Sequence, residues 1–387
     1  MSDKPNHHTD TTTSQTETQS GLGQSETPQS GLGQSETPQA GRLQSETPQA
    51  GPKQSGPLDL FPIGLGCTGM TLHSYSDSPR RQEMIQVLRT AAELGVEFFD
   101  TSEIQGPYTG EELLGDAFAR AHTPPAVPAG SSVQTPTIAT KFGWNIDNGE
   151  PTGELNSRPE TIRRVAQESA RRLGVERLDL FMQHRVDPDV PIEEVAGTVG
   201  ELVDEGLVAH FGLCEASATT IARAHREFPV AAVESEYSLW SRGVEESVLP
   251  TCAELGIGFI AYSPLAKGML TAQLTEPNAD SNSPRLHPDN FAQNQRNAAR
   301  VAEIAKHYDA TAAQIALAWL LDRGAQHPGG MLVLPGSINP ARIQENVAAA
   351  NVTLADDDRA ALDNLLDTHP LAGERYVDKH LRFIDRD

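Results

Sequence analysis

Three ionisable side chains each close a short apolar run. Asp100 ends VEFFD (96–100), Lys141 ends TIATK (137–141) and His184 ends LDLFMQH (178–184). Held together, an acid, an ammonium and an imidazole would do proton chemistry. The acid keeps the lysine charged, and that positive charge lowers the pKa of an acidic hydroxyl beside it. The histidine can place a hydrogen bond on an oxygen where charge develops. Each residue alone has a plainer account. Asp100 precedes Thr101 and Ser102 and can cap a turn, Lys141 can be a solvated rim charge, and His184 a satisfied strand-end imidazole. Three such groups after three successive apolar runs argue for one site.

A site of that kind needs strands that end at one rim. The strand candidates are PIGLG (62–66), 96–100, 137–141, 178–184, VAHFGL (208–213), VAAVES (230–235), GIGFIAYS (256–263) and MLVLP (331–335). Helical patterns lie between them. In 80–95 the apolar residues Met84, Val87, Leu88 and Ala91 share one face, and 159–174 opens on the capping pattern SRPE (157–160) and closes on Gly174. A third helix, 191–206, also ends in glycine. Eight strands each followed by a helix predict an α/β fold, a (β/α)8 TIM barrel over 57–387. The competitor is an open doubly wound sheet, whose mark is a GxGxxG turn leading straight into a helix. GLGCTG (64–69) matches in part, but its helix begins some ten residues later. In a barrel the site lies where the strands end.

The first 56 residues form a different segment. They repeat GLGQSETPQS, GLGQSETPQA and GRLQSETPQA with almost no apolar residues, which predicts a disordered tail that cannot offset its ordering entropy by burial. The chain carries a net charge of −23, all but −3 of it outside that tail, a field that repels nucleic acid and anionic membrane. No long apolar run or secretory leader occurs, so a cytoplasmic location is expected. Cys67, Cys214 and Cys252 are too few and scattered for a disulfide framework or zinc site, and no metal is expected. Two stretches break the strand–helix rhythm: the Pro-rich insertion 122–136, and 275–290, a candidate lid beside the rim.

Longer motifs carry a resemblance. FDTSEIQGPYTGEELLG (99–115), ATKFG, LDLFMQHR, GLCEAS, SEYSLWSR, AYSPLAKGMLT and PGSINPARIQEN occur in that order from residue 99 to 346. The chain resembles an aldo-keto reductase, of the bacterial branch patterned FDTAExYGPYTNEELLG, from Leu58 nearly to its end. The resemblance implies reduction of an aldehyde or ketone by NADPH, at a four-residue site of Asp, Tyr, Lys and His. Asp100, Lys141 and His184 take three of those places, and Gln105 takes that of the tyrosine. It also implies cofactor contacts: Ser337, Asn339, Arg342, Glu345 and Asn346 around the adenosine 2′-phosphate, and Tyr262 stacked on the nicotinamide. Ser263 and Leu265 follow on the strand-end loop, while Cys214, Glu215 and Glu234 face the carboxamide.

The chain departs from that pattern at positions 105, 214 and 234. A glutamine amide polarises an oxygen but does not release a proton near neutrality. Tyr108 falls in the same loop, where the pattern also has a structural tyrosine. The proton is then expected from His184, Lys141 or water. Cys214 stands for a serine, and Glu234 for a glutamine; as a charged carboxylate, Glu234 would accept from the carboxamide and donate nothing. Trp144 and the 275–290 loop are expected to wall the substrate site. Two functions follow: a reductase of small carbonyl compounds whose turnover the missing phenol slows, or an NADPH-binding regulatory protein with little catalysis.

Overall fold

A computed structural model describes residues 61–71, 79–119 and 136–387. The 1–56 tail and, but for Pro136, the 122–136 insertion lie outside the described residues. All eight expected strands form. They are β1 (Leu65–Gly66), β2 (Phe98–Asp100), β3 (Thr137–Phe142) and, after a hairpin of β4 (Trp144–Asp147) and β5 (Glu150–Leu155), β6 (Leu178–Gln183), β7 (Val208–Cys214), β8 (Val230–Glu236), β9 (Gly258–Tyr262) and β10 (Met331–Leu334). The sheet runs β1-β2-β3-β6-β7-β8-β9-β10 with every pair parallel. Parallel bridges Ile63–Val333 and Gly66–Gly336 close the ring. The fold is therefore a (β/α)8 barrel, and the open sheet is excluded.

The helices that cover it are α1 (Pro79–Glu93), α2 (Thr109–Leu114), α3 (Pro159–Leu173), α4 (Ile192–Asp204), α5 (Ala218–Glu227), α6 (Val248–Leu255), α7 (Pro288–Ala305), α8 (Ala312–Ala325) and α9 (Pro340–Ala348). α1 buries Met84, Val87, Leu88 and Ala91, the face its spacing marks. Gly174 ends α3 in a left-handed conformation (φ 71°) and donates to Ala170 O. The SRPE capping box does not form. Ser157 Oγ instead accepts from Gln183 Nε2 at 2.9 Å, and Pro159 alone starts the helix.

Two apolar layers follow from strand alternation. Phe99, Phe142, Phe181, Phe211 and Phe259 point outward into the strand–helix layer. Phe98, Ala139, Leu180, Met182, Ala232 and Ile260 point inward and fill the barrel. This second, smaller cluster positions the site, because the residue two further along each strand faces the same way.

The β4–β5 hairpin is absent from the sequence-based expectation. It turns through Asn148 and Gly149, both at positive φ (50° and 80°), which is the Asn-Gly hairpin signal.

Candidate active site

Counting by two from the inward layer gives the mouth. Phe98 leads to Asp100, Ala139 to Lys141, Met182 to His184, Ala232 to Glu234 and Ile260 to Tyr262. Lys141, 1% exposed, is the centre of the group. Its ammonium is paired with the Asp100 carboxylate, donates to Thr101 O at 3.2 Å, and lies 3.2 Å from Glu234 Oε2. Burial opposes the lysine's charge, but Asp100 and Glu234 beside it hold its pKa above the ordinary lysine value. Lys141 therefore stays an ammonium at neutral pH.

The two acids of this group differ. Burial raises both. Lys141 works against that rise at Asp100, with which it makes the closer contact. Glu234 suffers burial and the Asp100 charge together, and its pKa is pushed up to about 8. These surroundings favour the protonated form of Glu234 over the charged carboxylate expected there. His184 moves the opposite way. Burial, with Arg185 and Lys141 adding cationic repulsion, holds it well below the ordinary histidine range, so it is neutral. At rest, then, His184 is neutral and Lys141 an ammonium, so of the two only Lys141 carries a proton it could relay.

Gln105 is buried in the loop before α2. Its Nε2 donates to Thr68 Oγ1 at 3.0 Å, and its Oε1 accepts from Thr101 Oγ1 at 3.2 Å. The amide is engaged with these two threonines. Tyr108 does not replace the missing phenol. It caps α2 at φ 68°, and the Arg172 guanidinium stacks over its ring at 4.4 Å. Arg172 in turn pairs with the fully buried Glu111 at 2.5 Å, which accepts from Thr140 at 2.6 Å. That network fixes α2 against β3.

The cofactor-side positions form a second polar group on the neighbouring strand tips. Tyr262 OH donates to Glu215 Oε1 at 2.6 Å, and Glu236 N donates to the same oxygen at 3.0 Å. Arg375, far along the chain, pairs with Glu215 at 2.7 Å and Glu236 at 3.4 Å. Tyr376 OH lies 3.3 Å from Tyr262 OH. Glu215 and Ser263 sit at positive φ (52° and 51°), local strain of the kind concentrated at ligand sites. Cys214 packs with the inward layer as an apolar residue, and Leu265 packs partly buried against the outer one.

Residues 373–387 run over this mouth. Asp385 and Asp387 accept from Ser217 N (3.0 Å) and Thr219 N (3.2 Å) at the start of α5. Phe383 meets Trp144 edge-on at 4.8 Å, and Trp144 lies 6.2 Å from the His184 ring. The 275–290 loop is tied to the same segment, with Val377 N donating to Asn282 O at 3.0 Å. A cavity of about 140 Å³ lies between Trp144, Arg185, Asn282, Tyr376 and Phe383. A larger one, about 550 Å³, opens beside Glu215, Glu236, Trp240, Arg285 and Arg375. Arg375, Tyr376 and Phe383 had no sequence signal: they belong to no periodic element, and only the folded chain brings them to the strand tips.

The remaining predicted positions gather at α9. Asn339 caps the helix, its Oδ1 accepting from Ala341 N at 2.9 Å, and Ser337 Oγ accepts from Asn339 N at 3.1 Å. Arg342 is exposed in the first turn, where cation and helix N-terminus together favour an anion. Glu345 accepts from Thr311 at 2.6 Å and ties α9 to the capping box of α8. Asn346 is buried beneath. Among the described residues no cluster could hold a metal ion, and no helix is long and apolar enough to cross a membrane.

Comparison with known proteins gives a consistent set. The sequence pattern of the Aldo/keto reductase family matches residues 62–367. A probable aldo-keto reductase 1 of Glycine max is 37% identical over 319 residues, covering 81% of this chain and 88% of that protein. Among solved structures, the glycerol dehydrogenase of Gluconobacter oxydans superposes with a TM-score of 0.72 at 24% identity, over 81% of this chain and 94% of that one. An aldo-keto reductase of Klebsiella pneumoniae, solved in complex with NADPH, gives 0.61 at 22% identity, over 84% and 98%.

Proposed function

The chain belongs to the aldo/keto reductase family, and from that premise we propose that it reduces small aldehydes or ketones with NADPH. The residues present fit such a dinucleotide. At the far end, exposed Arg342 and the α9 N-terminus suit a phosphate, with Ser337 and Asn339 beside them. At the near end, Glu234 Oε2 and His184 Nδ1 are buried without a hydrogen-bond partner, and Tyr262 caps the strand next to them. When bound, NADPH supplies the hydride that reaches the carbonyl carbon.

The chain's own residues prepare the carbonyl. His184, neutral, directs an imidazole N–H at the carbonyl oxygen, and Lys141 gives the site a fixed positive charge that favours negative charge growing there. Asp100 keeps that charge in place. Gln105 is a positioning residue that ties Thr68 to Thr101 at the rim. Trp144 and Phe383 wall off water on the substrate side. The observation that carries this reading is Lys141: a fully buried ammonium clamped by Asp100 at the barrel mouth, with His184 close enough to feel its charge.

A second reading, an NADPH-binding protein with little catalysis, draws support from the engagement of Gln105 with threonines. The test measures NADPH binding by fluorescence quenching, then NADPH consumption with a reactive aldehyde, in the wild type, Lys141→Ala and His184→Ala. Binding with turnover lost in both variants is expected. Binding without turnover favours the second reading, turnover unchanged in both variants defeats the first, and failure to bind any nicotinamide nucleotide defeats both.

A further inference from the structure

Two acids, Asp100 and Glu234, border one ammonium, Lys141, at the barrel mouth. Around Glu234 on β8 stand Asp100 from β2, Lys141 from β3, Arg185 beyond β6 and Cys214 from β7. Asp100 and Glu234 both border the Lys141 ammonium, and all three are at least 95% buried. Glu234 Oε2 is within ion-pair range of Lys141 but has no aligned hydrogen bond, and the Asp100 charge acts on the Glu234 carboxyl across that ammonium. Two carboxyls so placed in a dry site hold one proton between them. Asp100 has the closer grip on Lys141, so the proton resides on Glu234. The other groups at the mouth are committed elsewhere: the Gln105 amide to Thr68 and Thr101, Tyr108 to Arg172, and Tyr262 to Glu215.

We propose that Glu234, as a neutral carboxyl, is the proton source for the reduction, acting as a positioning residue through Lys141. The inference rests on the carbonyl-reductase reading above. As hydride reaches carbon, the carbonyl π pair moves to oxygen. That oxygen takes a proton from the Lys141 ammonium, whose N–H bond breaks. Lys141 then takes the proton of the Glu234 carboxyl, whose O–H bond breaks, leaving a carboxylate. Solvent returns that proton after the alcohol leaves, and no residue is oxidised or reduced.

The test uses Glu234→Gln, which keeps the shape and loses the ionisable proton. The first measurement needs no cofactor: an infrared titration of the protonated-carboxyl band. Glu103 is a second buried carboxyl pushed up to about 8, so the titration is made in a Glu103→Gln background. A band that disappears near pH 8 and is missing when Glu234→Gln is added is expected; the same band in both overturns the proposal. The second is the single-turnover rate of NADPH oxidation with a reactive aldehyde from about pH 6 to about 10. The wild type should slow above about pH 8. Glu234→Gln should be slower by on the order of 10²-fold and lose that dependence, with NADPH affinity within a few-fold. Glu234→Asp should restore part of both rate and pH dependence. A wild type that turns over with a flat profile, or a Gln variant with the wild-type rate and profile, sinks this inference and leaves the reductase standing. A wild type that binds NADPH but reduces no aldehyde sinks both.

Discussion

Replacing Gln105 by tyrosine puts a phenol where the aldo/keto reductase pattern has one, and the structure says what that change costs and gains. The costs are two hydrogen bonds, Gln105 Nε2 to Thr68 at 3.0 Å and Thr101 to Gln105 Oε1 at 3.2 Å. At about 1 kcal/mol net each, the loss is about 2 kcal/mol, a fall of several degrees in Tm for a domain of this size. The gain depends on what the site lacks. If the wild type had no proton donor, a positioned acid would add roughly 10²–10⁴-fold at any pH. With Glu234 already holding a proton at pH 7, the gain there should be no more than about tenfold, and it should grow above about pH 8 as Glu234 ionises. The assay is NADPH consumption with one reactive aldehyde at pH 7 and pH 9, beside a thermal melt. A gain of 10²-fold or more at pH 7 would refute the Glu234 argument. No gain at either pH, in a folded variant that binds NADPH, would refute the idea that proton delivery limits this enzyme.

Arg342→Ala should weaken NADPH binding by about 10- to 100-fold, the worth of a charged hydrogen bond to phosphate, and leave NADH binding nearly unchanged; equal losses for both nucleotides would remove Arg342 from the phosphate site. Arg375→Met should lower stability by about 3–5 kcal/mol, because Glu215 and Glu236 would then be buried without their cation; chemical denaturation measures this, and a loss under 1 kcal/mol would contradict it. Glu103, 3% exposed, has its pKa raised by burial and by Glu111 to about 8. The folded form then keeps a proton that the unfolded chain releases above about pH 4.5, so its contribution is fully present below that value and is lost as pH rises to about 8. The slope is up to about 1.4 kcal/mol per pH unit. Urea midpoints from pH 5 to 8 should fall less steeply in Glu103→Gln, and identical slopes would refute the assignment.

The barrel was legible because its two periods are simple. Alternation along each strand names the inward residues, and the same count by two carries Phe98 to Asp100, Ala139 to Lys141 and Ala232 to Glu234. The triad could therefore be read as strand-end residues, and Gln105 as the odd one among them. What escaped the sequence depended on distant partners. The SRPE stretch reads as a capping box, yet Gln183 takes the Ser157 hydroxyl. Glu234 reads as a charged side chain, and only its burial beside Asp100 raises its pKa. Residues 373–387 carry no apolar period at all, so nothing in them announces that Arg375 will sit between two carboxylates from β7 and β8. The Asn-Gly turn of the β4–β5 hairpin is a readable signal in the sequence, but the strand beside it fits no barrel position.

The two polar groups at the mouth share a stoichiometry, yet the pKa of Glu234 is raised and that of Glu215 lowered, and the supply of donors accounts for the difference. Lys141 faces two carboxyls, Asp100 and Glu234; Arg375 faces two as well, Glu215 and Glu236. Around Arg375, neutral donors reach both acids. Glu215 accepts from Tyr262 OH and Glu236 N, and Glu236 accepts from Ser241 OH at 2.7 Å. Although burial works against it, Glu215 is held below the ordinary carboxylate range by Arg375, Arg185 and the Tyr262 hydrogen bond. Around Lys141 no such donor reaches Glu234: Thr101 spends its hydroxyl on Gln105, and Cys214 offers only a weak thiol. A carboxylate there would be buried without compensation, so the proton stays. Supplying one good donor should therefore ionise Glu234. Cys214→Ser, on the strand beside it, should shift the infrared titration of that carboxyl to lower pH; an unmoved or higher midpoint would show that donor supply does not set the difference between the two groups.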